Sequence, residues 1–371
     1  MKTFLSILSL CLVLSCNSKK STPKTETESI PFYVGTYTTK DSKGIYKYEL
    51  DSEGSFTELG LQTLSESPSF LSFSADKKHL IAANKLDPKQ GSISSFTIKG
   101  DSLILNNIMP SGGMNPCFVT TNKDNYVLAA NYGSGTVSLL QLDENGHLTD
   151  TLDIKQHQGK GTTSRQEGPH AHSVYSVPNS NDIISIDLGT NSLWMYTINK
   201  NTKTLEPKPE ASLAMEEGAG PRHLTFHPNN KWLFVLNELN NTITKVERLE
   251  DEQYIKKEST STLPSDYTES STSADIHISA DGLFLYTSNR GHNSIAIFKV
   301  DPKDGSLTTV GYESTRGETP RNFSLSPDEK FVVVANRNSD NLISFKRNNE
   351  TGLLTFADEI KSPTPSYILF Q

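Results

Sequence analysis

The sequence predicts an all-β chain of about seven similar units, and three observations carry that reading. The first is a recurring frame. The stretch Glu217-Gly-Ala-Gly-Pro-Arg-His-Leu-Thr-Phe through Glu238 has counterparts from Ser67 to Asn84, Asn115 to Asn131, Gly168 to Asp187, Ser273 to Asn289 and Thr319 to Asn336, with a partial copy opening at Thr364. Its anchors, Pro68, Pro116, Pro169, Pro221, Ala274, Pro320 and Pro365, recur at roughly 45 to 55 residues, the range of propeller blades. The second is residue type: aromatic and β-branched side chains crowd short segments such as Phe331-Val-Val-Val-Ala and Leu283-Phe-Leu-Tyr-Thr, and no long helical periodicity follows the N-terminus. The third is that the two ends of the chain complement each other. Pro31-Phe-Tyr-Val-Gly-Thr and Gly44-Ile-Tyr-Lys-Tyr match the second and third strands of a unit, and Ser366-Tyr-Ile-Leu-Phe supplies its missing first strand. Pairing the ends closes the ring and removes free sheet edges. The expected architecture is a seven-bladed β-propeller with four-stranded blades, its ring closed by the N- and C-terminal strands.

Within a unit the order is anchor, strand, tight turn, apolar strand ending in Asn, then a third strand. The turns Ser326-Pro-Asp-Glu-Lys and Ser279-Ala-Asp-Gly carry residues that preset φ, bond their own backbone or permit φ > 0. A single unit cannot bury its apolar face alone, so residues 30–371 read as one closed domain.

The N-terminus is a targeting segment. Lys2 precedes the apolar run Phe4 to Leu14, which is too short to span a bilayer as a stable helix, and Ser15-Cys16 follows. Residues 1–15 resemble a bacterial lipoprotein signal with Val13-Leu-Ser-Cys16 as the lipobox. That resemblance implies cleavage before Cys16, lipid on its sulfur and a membrane-anchored protein facing the periplasm or cell exterior; a plain cleaved secretory signal is the alternative. Residues 16–29, rich in Lys, Thr and Glu, read as a solvated tether. Of the three cysteines, Cys11, Cys16 and Cys117, only Cys117 then remains a thiol, and it reads as a small buried hydrophobe.

Charge narrows the partners. The formal net charge of -8 and a pI near 5.6 argue against nucleic acid held on a broad basic surface. The few arginines are placed selectively. Arg222 and Arg321 follow anchors, Arg290 and Arg337 follow closing asparagines, and Arg165 lies just before an anchor. A ring of planar guanidinium forks at one end of the array suits a carboxylate or phosphate, whereas its structural alternative is salt bridging between blades. Glu238 stands where other units have Tyr132 or Arg290, and a variable residue in a fixed slot is where function tends to sit.

The strings Gly168-Pro-His-Ala-His172, Gly218-Ala-Gly-Pro-Arg-His-Leu-Thr-Phe-His-Pro-Asn229, Asn237-Glu-Leu-Asn240, Ala274-Asp-Ile-His-Ile-Ser-Ala-Asp-Gly282, Ser288-Asn-Arg290 and Pro320-Arg321 together resemble the seven-bladed propeller lactonase family. This family includes propeller-type 6-phosphogluconolactonases and carboxy-muconate lactonizing enzymes. The resemblance spans residues 30–371 and implies a catalytic set of His170 or His172, Arg222, Glu238 and Arg290. Arg337 departs from the Gln expected at that position and adds a cation near the site.

The residues make chemical sense for opening a lactone, which needs a base to activate water, a donor for the developing oxyanion and an acid for the leaving alkoxide. His170 and His172, two apart, are expected on one strand face, and either could act as base near neutral pH. Arg321, Arg337, Asn237 and Asn289 are the expected substrate-binding residues, and the substrate an anionic or sugar-derived small-molecule lactone. His223, His227 and His277 read as packing residues. Apart from His170-x-His172 there is no local metal-ligand spacing, although Glu238 and Asp275 could join those histidines around a divalent ion; no metal and no cofactor is expected. A Gly-x-Ser-x-Gly elbow is lacking. The competing class is a non-enzymatic extracytoplasmic propeller that binds an anionic ligand or a protein partner, since the fold serves both uses.

Overall fold

The computed structural model describes residues 29–85 and 90–371; the leader, Cys16 and nearly all of the expected tether lie outside them. Seven antiparallel sheets follow one another around a ring. Blade 1 comprises Pro68–Phe73, His79–Asn84, Ser92–Lys99 and Ser102–Pro110, and blade 2 Pro116–Thr121, Tyr126–Asn131, Thr136–Gln141 and Asp153–Gln156. Blade 3 runs Ala171–Ser176, Asp182–Asp187, Ser192–Asn199 and Thr204–Pro207, with Leu213–Ala214 added beside its third strand. Blades 4, 5 and 6 begin with Pro221–Phe226, Thr272–Ile278 and Pro320–Leu325. Blade 7 joins the chain ends: Pro365–Phe370 pairs with Ile30–Thr36, Phe370 opposite Phe32, and Gly44–Leu50 and Phe56–Leu64 complete it. The only helical turn among the described residues is the 3₁₀ turn Pro209–Ala211.

The core lies between blades. Phe284, Tyr286 and Ile297 of blade 5 meet Phe323, Val332 and Val334 of blade 6, and Phe32, Val34 and Tyr48 of blade 7 meet Phe331 and Val333 of blade 6. Both faces of a blade are thus covered. This explains why second strands such as Trp232-Leu-Phe-Val-Leu-Asn237 and Phe331-Val-Val-Val-Ala-Asn336 are apolar without alternation and buried throughout. Outer strands reach solvent, and burial alternates along the short outer strand Asp153–Gln156 of blade 2.

The expected turns form. Ser279 Oγ donates to Asp281 Oδ1, which also accepts the Leu283 N–H at 2.9 Å, and Gly282 turns the chain at φ 74°. In six blades the strand-opening residue pairs with the strand-closing one: Pro68 with Asn84, Pro116 with Asn131, Ala171 with Asp187, Pro221 with Asn237, Pro320 with Asn336 and Pro365 with Thr36; in blade 5 the ladder runs one step further, Thr272 with Arg290, and Ser273 with Asn289 is the equivalent pair. This register corrects two expected anchors: Ala171, not Pro169, opens blade 3, and in blade 5 Ser273, not Ala274, is the residue paired with the closing Asn, one step inside the opening Thr272.

Candidate active site

Two ring positions of the repeat build the site. The first follows the closing residue of each blade, where the chain leaves the sheet at the mouth of the central channel. Its occupants are Tyr37, Lys85, Tyr132, Leu188, Glu238, Arg290 and Arg337. All except Leu188 line a cavity of about 400 Å³.

The second position is an irregularity. In blades 1, 2, 3, 4 and 6 the ladder skips one residue just inside the first strand, at Ser69, Cys117, His172, Arg222 and Arg321. A bulge re-aims the extra side chain. Cys117, His172 and Arg321 line the cavity; Ser69 and Arg222 line a small void beneath it, together with His223, Asn322 and Tyr367.

The bulge sets the two histidines apart. They do not share a strand face, because His170 precedes the strand and His172 is the bulged residue. His172 is buried against the cavity, its Nδ1 3.8 Å from Cys117 Sγ. Burial first, then Arg222, His223, Arg321 and Arg290, hold its pKa well below the usual histidine value, so it is neutral at neutral pH. His170 stacks on Tyr132 with ring centroids 4.5 Å apart and directs Nδ1 at the Tyr132 carbonyl, 2.9 Å away. It does not line the cavity.

Glu238 is the electrostatic centre. Its Oε2 takes Arg222 Nε at 3.0 Å and Arg290 Nη2 at 3.0 Å, and its Oε1 takes Arg165 Nη2 at 3.2 Å. Burial alone would raise the carboxyl, but Arg290, Arg222 and Arg165 bring its pKa down to about 2. Gly220 lets this corner form: at φ 62° it accepts the Glu238 N–H at 2.7 Å, and a Cβ there would meet Leu239 Cγ at 2.4 Å.

Arg222 sits differently from expectation. Its guanidinium is 1 % exposed and lies under Glu238, outside the cavity wall. It donates to the Ala274 carbonyl and faces His223 Nε2 at 3.2 Å, while His223 Nδ1 lies 2.7 Å from Asp275 Oδ1. His223 therefore donates from Nδ1 and accepts from Arg222 at Nε2. Burial, with repulsion from Arg290 and Arg321, lowers the Arg222 pKa to about 10.

Arg321 and Arg337 also line the cavity. Among the described residues neither has a carboxylate within ion-pair distance; both lie over the Tyr37 ring, at 5.5 and 4.3 Å. The floor is an aromatic plug in which Phe70 packs on Tyr367 at 3.8 Å and on Phe118 at 4.2 Å, beside His223 and Asp275. His277, on the far side of the plug, reaches Asp275 Oδ2 at 3.0 Å, whereas His227 bonds the Gly282 carbonyl of the next blade.

Asn237 and Asn289 do not reach the cavity. Asn237 bonds Thr242 and Thr244, and Asn289 bonds Ser294 and the Thr262 carbonyl, so both fasten blades. Asp275 is likewise taken up by His223, His277 and Asn322. Among the described residues no group of three or more His, Cys, Asp or Glu side chains gathers as a metal site. Tyr37, Lys85, Tyr132 and Cys117 are wall residues beyond those expected from the sequence; the first three share with Glu238 the slot after each closing residue, and that slot is the signal that marks them.

The family model for the seven-bladed β-propeller lactonases matches residues 31–370, and the chain belongs to that family. It is a lactone-hydrolysing enzyme. Among its relatives, the 6-phosphogluconolactonase of Bacillus subtilis strain 168 is 36% identical over 284 residues, covering 75% of this chain and 80% of the relative. The structure of the periplasmic gluconolactonase of Pseudomonas aeruginosa superposes with a TM-score of 0.88 at 28% identity, covering 92% of this chain and 99% of that one. A protein from Lactobacillus plantarum superposes with a TM-score of 0.88 at 34% identity, over 93% and 100% of the two chains.

Proposed function

We propose that this enzyme opens a sugar-acid lactone that carries an anionic group, in the manner of the 6-phosphogluconolactonase it resembles. The observation that carries this reading is the pair Arg321 and Arg337, two guanidiniums at the cavity wall held over Tyr37 without a carboxylate partner among the described residues. Planar forks left open in this way suit a phosphate or carboxylate. The neutral His172, which lines the same cavity, is the base.

In this mechanism His172 takes a proton from water as the water oxygen bonds to the lactone carbonyl carbon. Arg290, which lines the cavity, donates to the oxyanion that develops. The tetrahedral intermediate then collapses. The bond from carbonyl carbon to ring oxygen breaks, and the imidazolium returns its proton to that oxygen, giving the hydroxy acid. Glu238, with its pKa held at about 2, is a weak base; its part is to hold Arg290, Arg165 and Arg222 together. Arg222 acts through Glu238 as a positioning residue.

Lactone opening releases acid, so a pH-indicator assay on residues 16–371 with lactones bearing phosphate, carboxylate or neither tests the reading. Turnover above the spontaneous rate, fastest with the anionic lactones, is expected. A propeller that only binds would release no acid beyond that rate. We further propose export and lipid anchoring at Cys16, supported by the apolar leader before Cys16 and by likeness to a periplasmic relative.

A further inference from the structure

Blade 3 breaks the ring rule, and the break is built. Its slot residue, Leu188, is fully buried, because residues 157–170, the connection from blade 2, cross over it as a strap. Gln166 of the strap is itself fully buried and donates to the Leu188 carbonyl at 2.8 Å and to Asn191 Oδ1 at 3.1 Å. In place of Leu188 the strap delivers Arg165 to Glu238 and to the Tyr132 hydroxyl, the latter at 3.0 Å, and sets His170 on Tyr132.

The same blade carries an unusual fastening. Blades 1, 2, 4 and 6 close their second strand with Asn and blade 5 has Asn289 at the equivalent position, and two of these take a hydroxyl from the preceding connection: Ser111 Oγ donates to Asn131 Oδ1 at 2.7 Å and Thr262 Oγ1 to Asn289 Oδ1 at 2.8 Å. In blade 3 the pair is Asp187 with His157, both fully buried, Nδ1 to Oδ2 2.7 Å, the imidazole stacked on Trp194 at 4.5 Å. Asp187 Oδ1 accepts the backbone N–H groups of His170 and Thr190, each at 2.8 Å. Three donors converge on this side chain, which is why a carboxylate stands there. With Asn in its place, the amide NH₂ faces His157 Nδ1 and forces the proton onto Nε2, which has no partner in its buried pocket. Gly189 completes the fastening, since a Cβ there would lie 1.8 Å from the Gly168 carbonyl oxygen and 2.8 Å from His170 N.

We propose that His157, Asp187 and Gly189 are positioning residues that hold the strap against blade 3, and thereby set where Arg165 stands in the lactone site and where His170 backs the wall residue Tyr132. This rests on the lactonase reading above. None of the three lines the cavity, so any effect on turnover runs through the strap.

The test uses Asp187→Asn and Gly189→Ala in the full chain. Hydrogen exchange at the His170 and Thr190 amides reports strap fastening without any substrate, and kcat/KM on a lactone the parent opens reports its consequence. Faster exchange at His170 and a fall in kcat/KM of about tenfold or more are expected, since small displacements of positioning groups carry costs up to about a hundredfold. In an Arg165→Met, His170→Asn background the same substitutions should change kcat/KM by less than about threefold, because the groups they position are gone. Folded variants with unchanged exchange at His170, or with faster exchange and wild-type kcat/KM, overturn the proposal. So does an equal loss in both backgrounds, which marks a merely structural role. If the parent opens no lactone, the functional reading fails by itself, and unchanged exchange still overturns the fastening.

Discussion

Glu238→Gln is the substitution whose consequences the structure fixes most tightly. It keeps the shape and removes the only carboxylate within reach, among the described residues, of Arg222, Arg290 and Arg165. Removing one partner of a buried charge network costs about 3–5 kcal/mol, because the remaining charges stay buried without compensation. Linkage gives a second figure. A carboxyl held at about 2 against an ordinary 4.5 contributes about 3 kcal/mol of stability at neutral pH. Because the folded value is the lower one, this contribution is complete above pH 4.5 and is lost as the pH falls toward 2. The assay is chemical unfolding of wild type and variant at a series of pH values. At pH 7 the variant should be less stable by about 3–5 kcal/mol, and the gap should narrow steadily below pH 4.5. Equal stability at pH 7, or a gap that stays constant down to pH 3, would refute the assignment of Glu238 as the ionised centre of the arginine cluster.

Three further outcomes are expected. His172→Asn should lower kcat by about a hundredfold or more, and the wild-type kcat should stay flat from pH 7 to below 6.5, because burial and the surrounding arginines keep this base unprotonated there; an inflection at the ordinary histidine value would place the base elsewhere. Deleting residues 365–371 removes the strand that pairs with Ile30–Thr36 and exposes edges in blade 7, and loss of Ile368 burial alone costs about 1.5–3 kcal/mol; a melting temperature unchanged by the deletion would contradict ring closure as a source of stability. Cys16→Ala should move the protein from membrane to soluble fractions with the fold intact, and wild type recovered wholly in the cytosol with Met1 in place would contradict the anchor.

The fold was legible because a propeller writes its architecture many times. Anchor, turn and closing Asn recur, and Ser366-Tyr-Ile-Leu-Phe370 could be seen to lack partners except at the other end of the chain. The candidate site was legible where it follows the repeat: Glu238, Arg290 and Arg337 occupy one slot, and that slot does line the cavity. What escaped was local. Strand alternation puts His170 and His172 on one face, but a bulge at His172 cancels it, and no residue between Gly168 and Ser173 announces the extra step. Burial also escaped, since Arg222 follows its anchor just as Arg321 does, yet Arg222 is drawn under Glu238 by that carboxylate, the Ala274 carbonyl and His223. The partners of Arg222 come from two blades, and such convergence is a property of the closed ring rather than of any one repeat.

The most direct test of the account is the ratio of kcat/KM for a phosphorylated sugar lactone to that for its uncharged counterpart, measured in wild type and in an Arg321→Met, Arg337→Gln double variant. The account predicts a ratio well above one in wild type that collapses toward one in the variant, through a rise in KM for the phosphorylated lactone alone, because these guanidiniums bind ground state and transition state alike. A preference that survives the double substitution, or a wild-type enzyme that opens both lactones equally well, would contradict it.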